Sequence, residues 1–139
     1  MNTKTLIAGL LGGIAYFFLG WLLYGMLLAS TFESLMGSAQ GVNRSDDEMV
    51  LWALAIGNLA MGLAMAYILN NWAKVSTVQT GAINAATVAL MLSLGYDLMW
   101  FSTTHLMTLS GVLLDVVVYT AMSAIAGAII GWWLGRSAN

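Results

Sequence analysis

Four long apolar runs alternate with short polar segments along the chain. Each run has about 20 residues or more, the length that an α-helix needs to cross the hydrocarbon core of a bilayer. The pattern therefore predicts four membrane-spanning helices, at about 5–29, 49–69, 78–101 and 109–134. Because the connections are short, we expect neighbouring helices to run antiparallel in a single four-helix bundle.

The composition supports a membrane protein and excludes several other classes. Hydrophobic residues make up 60% of the 139 residues and charged residues only 7%, against ~25% in an ordinary globular protein. We therefore expect one all-α domain whose main partner is the lipid bilayer. A net charge of -2 gives no reason to expect nucleic acid, and the lack of cysteine excludes thiolate metal sites and disulfides. No pattern points to a cofactor.

The basic residues predict how the chain is oriented. Lys4, Lys74 and Arg136 fall on one side of the predicted topology, and Arg44 falls on the other. Basic residues favour the cytoplasmic side, so both termini are expected in the cytoplasm. All acidic residues then lie in the outer half of the molecule: Glu33, Asp46, Asp47, Glu48, Asp97 and Asp115.

Small residues recur at intervals of four in the first and last spans. Gly9 and Gly13 form one ridge, and Gly127, Gly131 and Gly135 form another. Such ridges let helix backbones approach closely in lipid, where van der Waals contact drives association. Our first interpretation is helix packing within one bundle. The alternative is contact between the subunits of a homo-oligomer.

One segment, GYDLMWFSTTHLMTLSGVLLD at 95–115, contains two aspartates and the only histidine. Asp97 and Asp115 lie about 6 and 9 Å inside the ends of their spans, at a rise of ~1.5 Å per residue. Because a tight turn joins these spans, we expect the two carboxyl groups to be close together, with His105 above them. The sequence thus offers a candidate proton or cation cluster, although one histidine and two aspartates make a weak metal signature.

Two interpretations of this cluster remain open. Carboxylates inside a membrane cost at least ~2.5 kcal/mol, which makes them functional candidates by default. Two close carboxyl groups can share a proton or hold a cation, and His105 could relay the proton. The structural interpretation is that Asp97 and Asp115 reach water, or bond polar groups of the turn. We also expect Asn58 and Asn84, inside the second and third spans, to bond neighbouring helices; the alternative is that they line a pathway.

Local signals predict where two of the spans begin. The segment 45–48 (SDDE) fits the S-x-x-E capping box and is expected to open the second span. The segment 76–79 (STVQ) fits S-x-x-Q and is expected to open the third span. In both, the serine hydroxyl would accept a hydrogen bond from a free N–H of the first helical turn.

Three segments together resemble a family of small bacterial four-helix membrane proteins, classed as a domain of unknown function. They cover most of the chain, at 18–37, 56–73 and 96–135, and the last (YDLMWFSTTHLMTLSGVLLDVVVYTAMSAIAGAIIGWWLG) is the most specific. The resemblance implies the fold and the topology. It implies no activity. We expect the protein in the bacterial cytoplasmic membrane.

Two functions therefore compete. The glycine ridges and the lack of a soluble domain favour a structural or accessory subunit of a larger membrane complex. The alternative is a small transporter or channel that acts as an oligomer and handles protons or cations through the Asp97, His105 and Asp115 cluster. An enzyme is the weakest hypothesis, because the sequence contains no recognisable nucleophile–base pair or metal motif.

Overall fold

The computed structural model describes residues 1–136. Within them it confirms four helices long and apolar enough to cross a membrane. The elements are α1 (Thr3–Gly20, extended by a π-helical segment, Trp21–Leu27), α2 (Ala29–Ser34), α3 (Leu51–Tyr67, extended by a π-helical segment, Ile68–Trp72), α4 (Val78–Thr103) and α5 (Leu109–Arg136).

The helices do not pack in the order in which they occur along the chain. α1 contacts α3 on one side and α5 on the other, and α4 packs mainly against α5. The order across the bundle is therefore α3, α1, α5, α4. As a consequence α3 and α4 lie at its edges and expose most of their apolar side chains, as expected of surfaces that face lipid.

Glycines hold α4 and α5 together. Gly81 of α4 lies directly against the backbone of Gly127 and close to Gly131. Gly135 meets the backbone carbonyl of Ser76, just before α4. A methyl group at any of these glycines would collide with backbone atoms of the facing segment. The ridge at 127, 131 and 135 therefore packs within the bundle, as the first interpretation predicts.

The ridge of α1 packs in the same way against α3. Gly62 of α3 contacts the backbone of Gly9 and Gly13, which lie on facing turns of α1. By contrast, a methyl group at Gly57, on the outward face of α3, would meet nothing within 4 Å. The spacing of glycines thus located the ridges, whereas the partner of each ridge depends on the helix order across the bundle.

Both helices begin later along the chain than the sequence predicted. The capping box at 45–48 forms, but it caps the N-terminus of a separate 3₁₀ turn (Asp46–Glu48). α3 begins only at Leu51. For α4 the cap is Thr77, whose hydroxyl accepts from the Thr80 N–H at 3.1 Å. The prediction placed this cap one residue too early, because a threonine beside the serine offers an equivalent hydroxyl.

The two membrane asparagines do not bond neighbouring helices. The side-chain NH₂ of Asn58 donates to the carbonyl of Leu54 at 2.8 Å, and that of Asn84 donates to the carbonyl of Thr80 at 2.8 Å. Each asparagine therefore donates to an acceptor on its own helix, the carbonyl four residues earlier. The prediction of interhelical bonds was wrong, because the carbonyl one turn earlier is always within reach of such a side chain.

Candidate functional site

The carboxyl groups lie at the end of the bundle where α4 and α5 are joined. There the segment that follows α2 pairs with the α4–α5 turn along the backbone. The N–H of Gly37 donates to the carbonyl of Leu106 at 2.9 Å, and the N–H of Ala39 donates to that of His105 at 3.1 Å. This pairing ties the connection between α1 and α3 to the ends of α4 and α5.

Thr108 sets the start of α5 and therefore the depth of Asp115. Its hydroxyl accepts from the N–H of Gly111 at 3.2 Å and donates to the carbonyl of Leu35 at 2.8 Å. One side chain thus caps α5 and joins it to the segment after α2. Asp115 follows about two turns later along the helix.

Asp97 of α4 and Asp115 of α5 lie beside each other, close enough for their carboxyl groups to interact directly. The predicted proximity is confirmed. Oδ2 of Asp97 is buried, and among residues 1–136 it has no hydrogen-bond partner. An unpaired carboxyl oxygen away from water is costly, so this atom calls for a proton or for a positively charged or hydrogen-bonding group.

Tyr24 completes the cluster, and the sequence analysis missed it. Its side chain lies beside the Asp115 carboxyl and within electrostatic reach of Asp97, and its ring packs on Phe32 at 5.0 Å. Tyr24 belongs to the π-helical segment Trp21–Leu27, and such wide turns often occur at functional sites. The sequence did contain a signal for Tyr24. Its distance from the end of its predicted span is nearly the same as the distances of the two aspartates from the ends of theirs.

His105 does not join the pair. Its side chain is exposed, and its carbonyl is held by Ala39 in the backbone pairing described above. Nowhere in residues 1–136 do three His, Asp or Glu side chains group as a metal ion requires. The prediction that His105 lies over the carboxyl groups as a relay therefore finds no support in the geometry, and Tyr24 is the third member of the cluster.

A line of hydroxyl groups leads from Asp115 into the bundle. Asp115, Tyr119 and Ser123 are spaced by four residues and so stack on one face of α5. From α1, the Tyr16 hydroxyl donates to Oγ of Ser123 at 3.0 Å, with both residues buried. The rings of Tyr16 and Tyr119 stack at 6.2 Å between centroids. The four-residue spacing was visible in the sequence, but its facing partner Tyr16 was not.

The line stops near the middle of the bundle. The next buried positions of α5, Ala126 and Ile130, are apolar, and Ile130 packs against Gly12 of α1. The polar side chains on this face of α5 therefore extend from Asp115 to Ser123. Chemically, this arrangement can hold a proton between two carboxyl groups and offer it hydroxyl partners, since close carboxyl groups resist ionising together.

No family model, no curated protein and no solved structure matches this chain. The resemblance to the small four-helix family stays a prediction.

Proposed function

We propose that this chain is a small membrane transporter that works as an oligomer, with Asp97 and Asp115 as its proton-binding pair. The observation that carries the proposal is the convergence of Asp97, Asp115 and Tyr24 from three different helices. Ionisable groups inside a membrane are expensive and are kept mainly where they serve a pathway. Four helices alone rarely enclose a pathway, so assembly of several copies is part of the proposal.

Charge distribution supports the same role. The end of the bundle that holds the pair carries all six acidic residues of the chain and one of its four Lys and Arg residues, Arg44. Such an excess of negative charge concentrates protons and other cations near the site. The opposite end carries Lys4, Lys74 and Arg136, which supports an orientation with both termini in the cytoplasm of a bacterial cell. The pair then takes its protons from outside.

Infrared spectroscopy of the purified protein tests whether the pair binds a proton. A protonated carboxyl group absorbs separately from a carboxylate, so the wild type should show a carboxyl band that disappears as the pH rises. Asp97→Asn combined with Asp115→Asn should remove this band. Asp47→Asn changes an exposed acid at the same end and should leave it intact. A band that persists in the double variant, or a wild type with no such band, would contradict the proposed function.

A structural or accessory role is the second candidate, and the outward face of α3 favours it. This face carries small residues spaced as a stripe, Ala53, Gly57, Ala60 and Ala64, all exposed. Small residues in membrane helices are typical of contacts with another helix, because they allow close backbone approach. Within the described residues, 1–136, no atom lies within 4 Å of a methyl group placed at Gly57. A helix of another subunit would fit against this stripe.

Gly57→Leu tests the accessory role. Leucine at this position should detach a second subunit or another protein in mild detergent while leaving the melting temperature unchanged, because no contact inside the chain is disturbed. Light scattering after size-exclusion chromatography measures the assembly. Gly95→Leu is the matched control, since Gly95 of α4 also faces open space but lies outside the stripe. An assembly that tolerates Gly57→Leu as well as Gly95→Leu would exclude the stripe as an interface.

A further inference from the structure

A pocket of about 200 Å³ opens beside the carboxyl pair. One face of α4 forms its main wall, because residues spaced by three and four share a helix face. The lining on this face consists of Asp97, Trp100, Phe101 and Thr104. Val112 of α5 and residues of the α4–α5 turn form the opposite wall. The pocket is therefore built at the same helix junction as the carboxyl pair.

The lining combines one carboxyl group with aromatic and aliphatic side chains and includes no basic residue. Such a surface suits a cation that carries an apolar body. Trp100 and Phe101 are both partly exposed, so their rings are accessible to a ligand. Aromatic faces attract ammonium groups, and tryptophan does so best. A bare metal ion would need several oxygen ligands instead, which this lining does not offer.

The size of the pocket further limits which ligands can fit. Sites for drug-sized ligands measure roughly 300–1,000 Å³, so this pocket suits a smaller molecule. A methylated ammonium group or a short alkylamine is of that size. Its positive charge would also complement the carboxyl group of Asp97, which lines the pocket.

We infer that this pocket binds a small organic ammonium ion, with Asp97 as the counter-charge and Trp100 and Phe101 around its apolar part. The inference rests on the proposed function, because the same carboxyl pair would release its shared proton when the ammonium ion arrives. Binding of one positive charge and release of one proton leaves the charge of the site unchanged. Exchange of this kind would couple movement of the ammonium ion to movement of a proton.

Choline and its neutral analogue 3,3-dimethyl-1-butanol test the inference in the wild type. The two molecules have the same shape and differ in charge, so choline should bind at least about tenfold more tightly. Calorimetry in mild detergent measures the affinity, and a pH electrode in unbuffered solution measures proton release. Equal affinity for both molecules would overturn the inference, and so would the absence of choline binding. The infrared band of the carboxyl pair would still decide the proposed function by itself.

Variants then locate the site. Asp97→Asn should weaken choline binding at least about tenfold, and Trp100→Leu should weaken it about fivefold by removing the aromatic face. Asp47→Asn and Trp52→Leu change an acid and a tryptophan that do not line the pocket, and both should bind choline normally. Equal losses in the control variants would place choline elsewhere and overturn the inference.

An ammonium group could come from a free amine or from a lipid headgroup, and lipid composition separates these sources. Choline binding is compared in nanodiscs of phosphatidylglycerol alone and in nanodiscs with added phosphatidylethanolamine. Weaker choline binding in the second preparation would assign the pocket to a headgroup. Equal binding would assign it to a free amine. Either result supports an ammonium site, whereas choline binding in neither preparation would overturn it.

Discussion

Gly131→Leu is expected to destabilise the protein by about 3 kcal/mol or more, at the upper end of the cost of overpacking. A side chain at Gly131 of α5 would collide with the backbone carbonyl of Thr77 and approach Cα of Gly81 to 3.0 Å. The same carbonyl accepts the N–H of Gly81 at 2.9 Å, in the first turn of α4. Relief of the collision would therefore separate α4 from α5 or break this turn. Thermal unfolding in detergent measures the loss.

Gly95→Leu provides the control for this prediction. Gly95 lies in the facing helix α4, and among residues 1–136 no atom lies within 4 Å of a methyl group placed there. A surface change of this kind should alter the free energy of unfolding by no more than about 0.5 kcal/mol. If Gly131→Leu melted at the wild-type temperature, the close approach of α4 and α5 would be wrong.

Tyr16→Ala should have the second large effect, a loss of about 3–5 kcal/mol, as for other buried aromatic residues replaced by alanine. Only 1% of the Tyr16 surface is exposed, so the change leaves a cavity between α1 and α5. It also removes the hydroxyl that donates to Ser123 at 3.0 Å. Unfolding by a denaturing detergent in mixed micelles measures the difference in free energy.

Two further variants separate the cavity from the hydrogen bond. Tyr16→Phe keeps the ring and removes only the hydroxyl, which should cost about 0.6 kcal/mol, the average for hydrogen bonds between membrane helices. Phe18→Ala removes an aromatic ring from the lipid-facing side of α1, where 59% of the side chain is exposed, and should cost much less than Tyr16→Ala. Equal losses for Tyr16→Ala and Phe18→Ala would show that Tyr16 is not in the core.

The two proposals about the carboxyl pair share residues but depend on different properties. The infrared test asks only whether Asp97 and Asp115 hold a proton. The choline test asks whether the pocket beside them recognises a positive charge. A positive first result with a negative second one would leave a proton-binding pair without an organic substrate. This separation matters because α1, α4 and α5 all contribute to the cluster of Asp97, Asp115 and Tyr24, whereas the pocket is lined by α4, α5 and their turn.

Local patterns predicted the spans but not their exact ends. Apolar runs alone placed all four membrane helices, since the bilayer thickness imposes a length that the sequence must satisfy. The cap of α4 is Thr77, one residue after the predicted Ser76, and the predicted capping box caps a separate 3₁₀ turn, Asp46–Glu48, ahead of α3. Several hydroxyl and carboxyl groups near a helix start can serve the same free N–H groups, so local sequence does not choose among them.

For the carboxyl pair and its surroundings, some contacts could be predicted from the sequence and others depended on the tertiary structure. Because a tight turn joins α4 to α5, the sequence by itself determined that Asp97 and Asp115 would be neighbours. The position of Tyr24 depended on α1 lying beside α5, and no local pattern encodes which helices are neighbours across a bundle. His105 was assigned to the cluster from its place in the turn, but backbone pairing with Ala39 leaves its side chain exposed. Proximity along the chain determines contacts within a hairpin, whereas packing of glycine ridges between distant helices decided the rest.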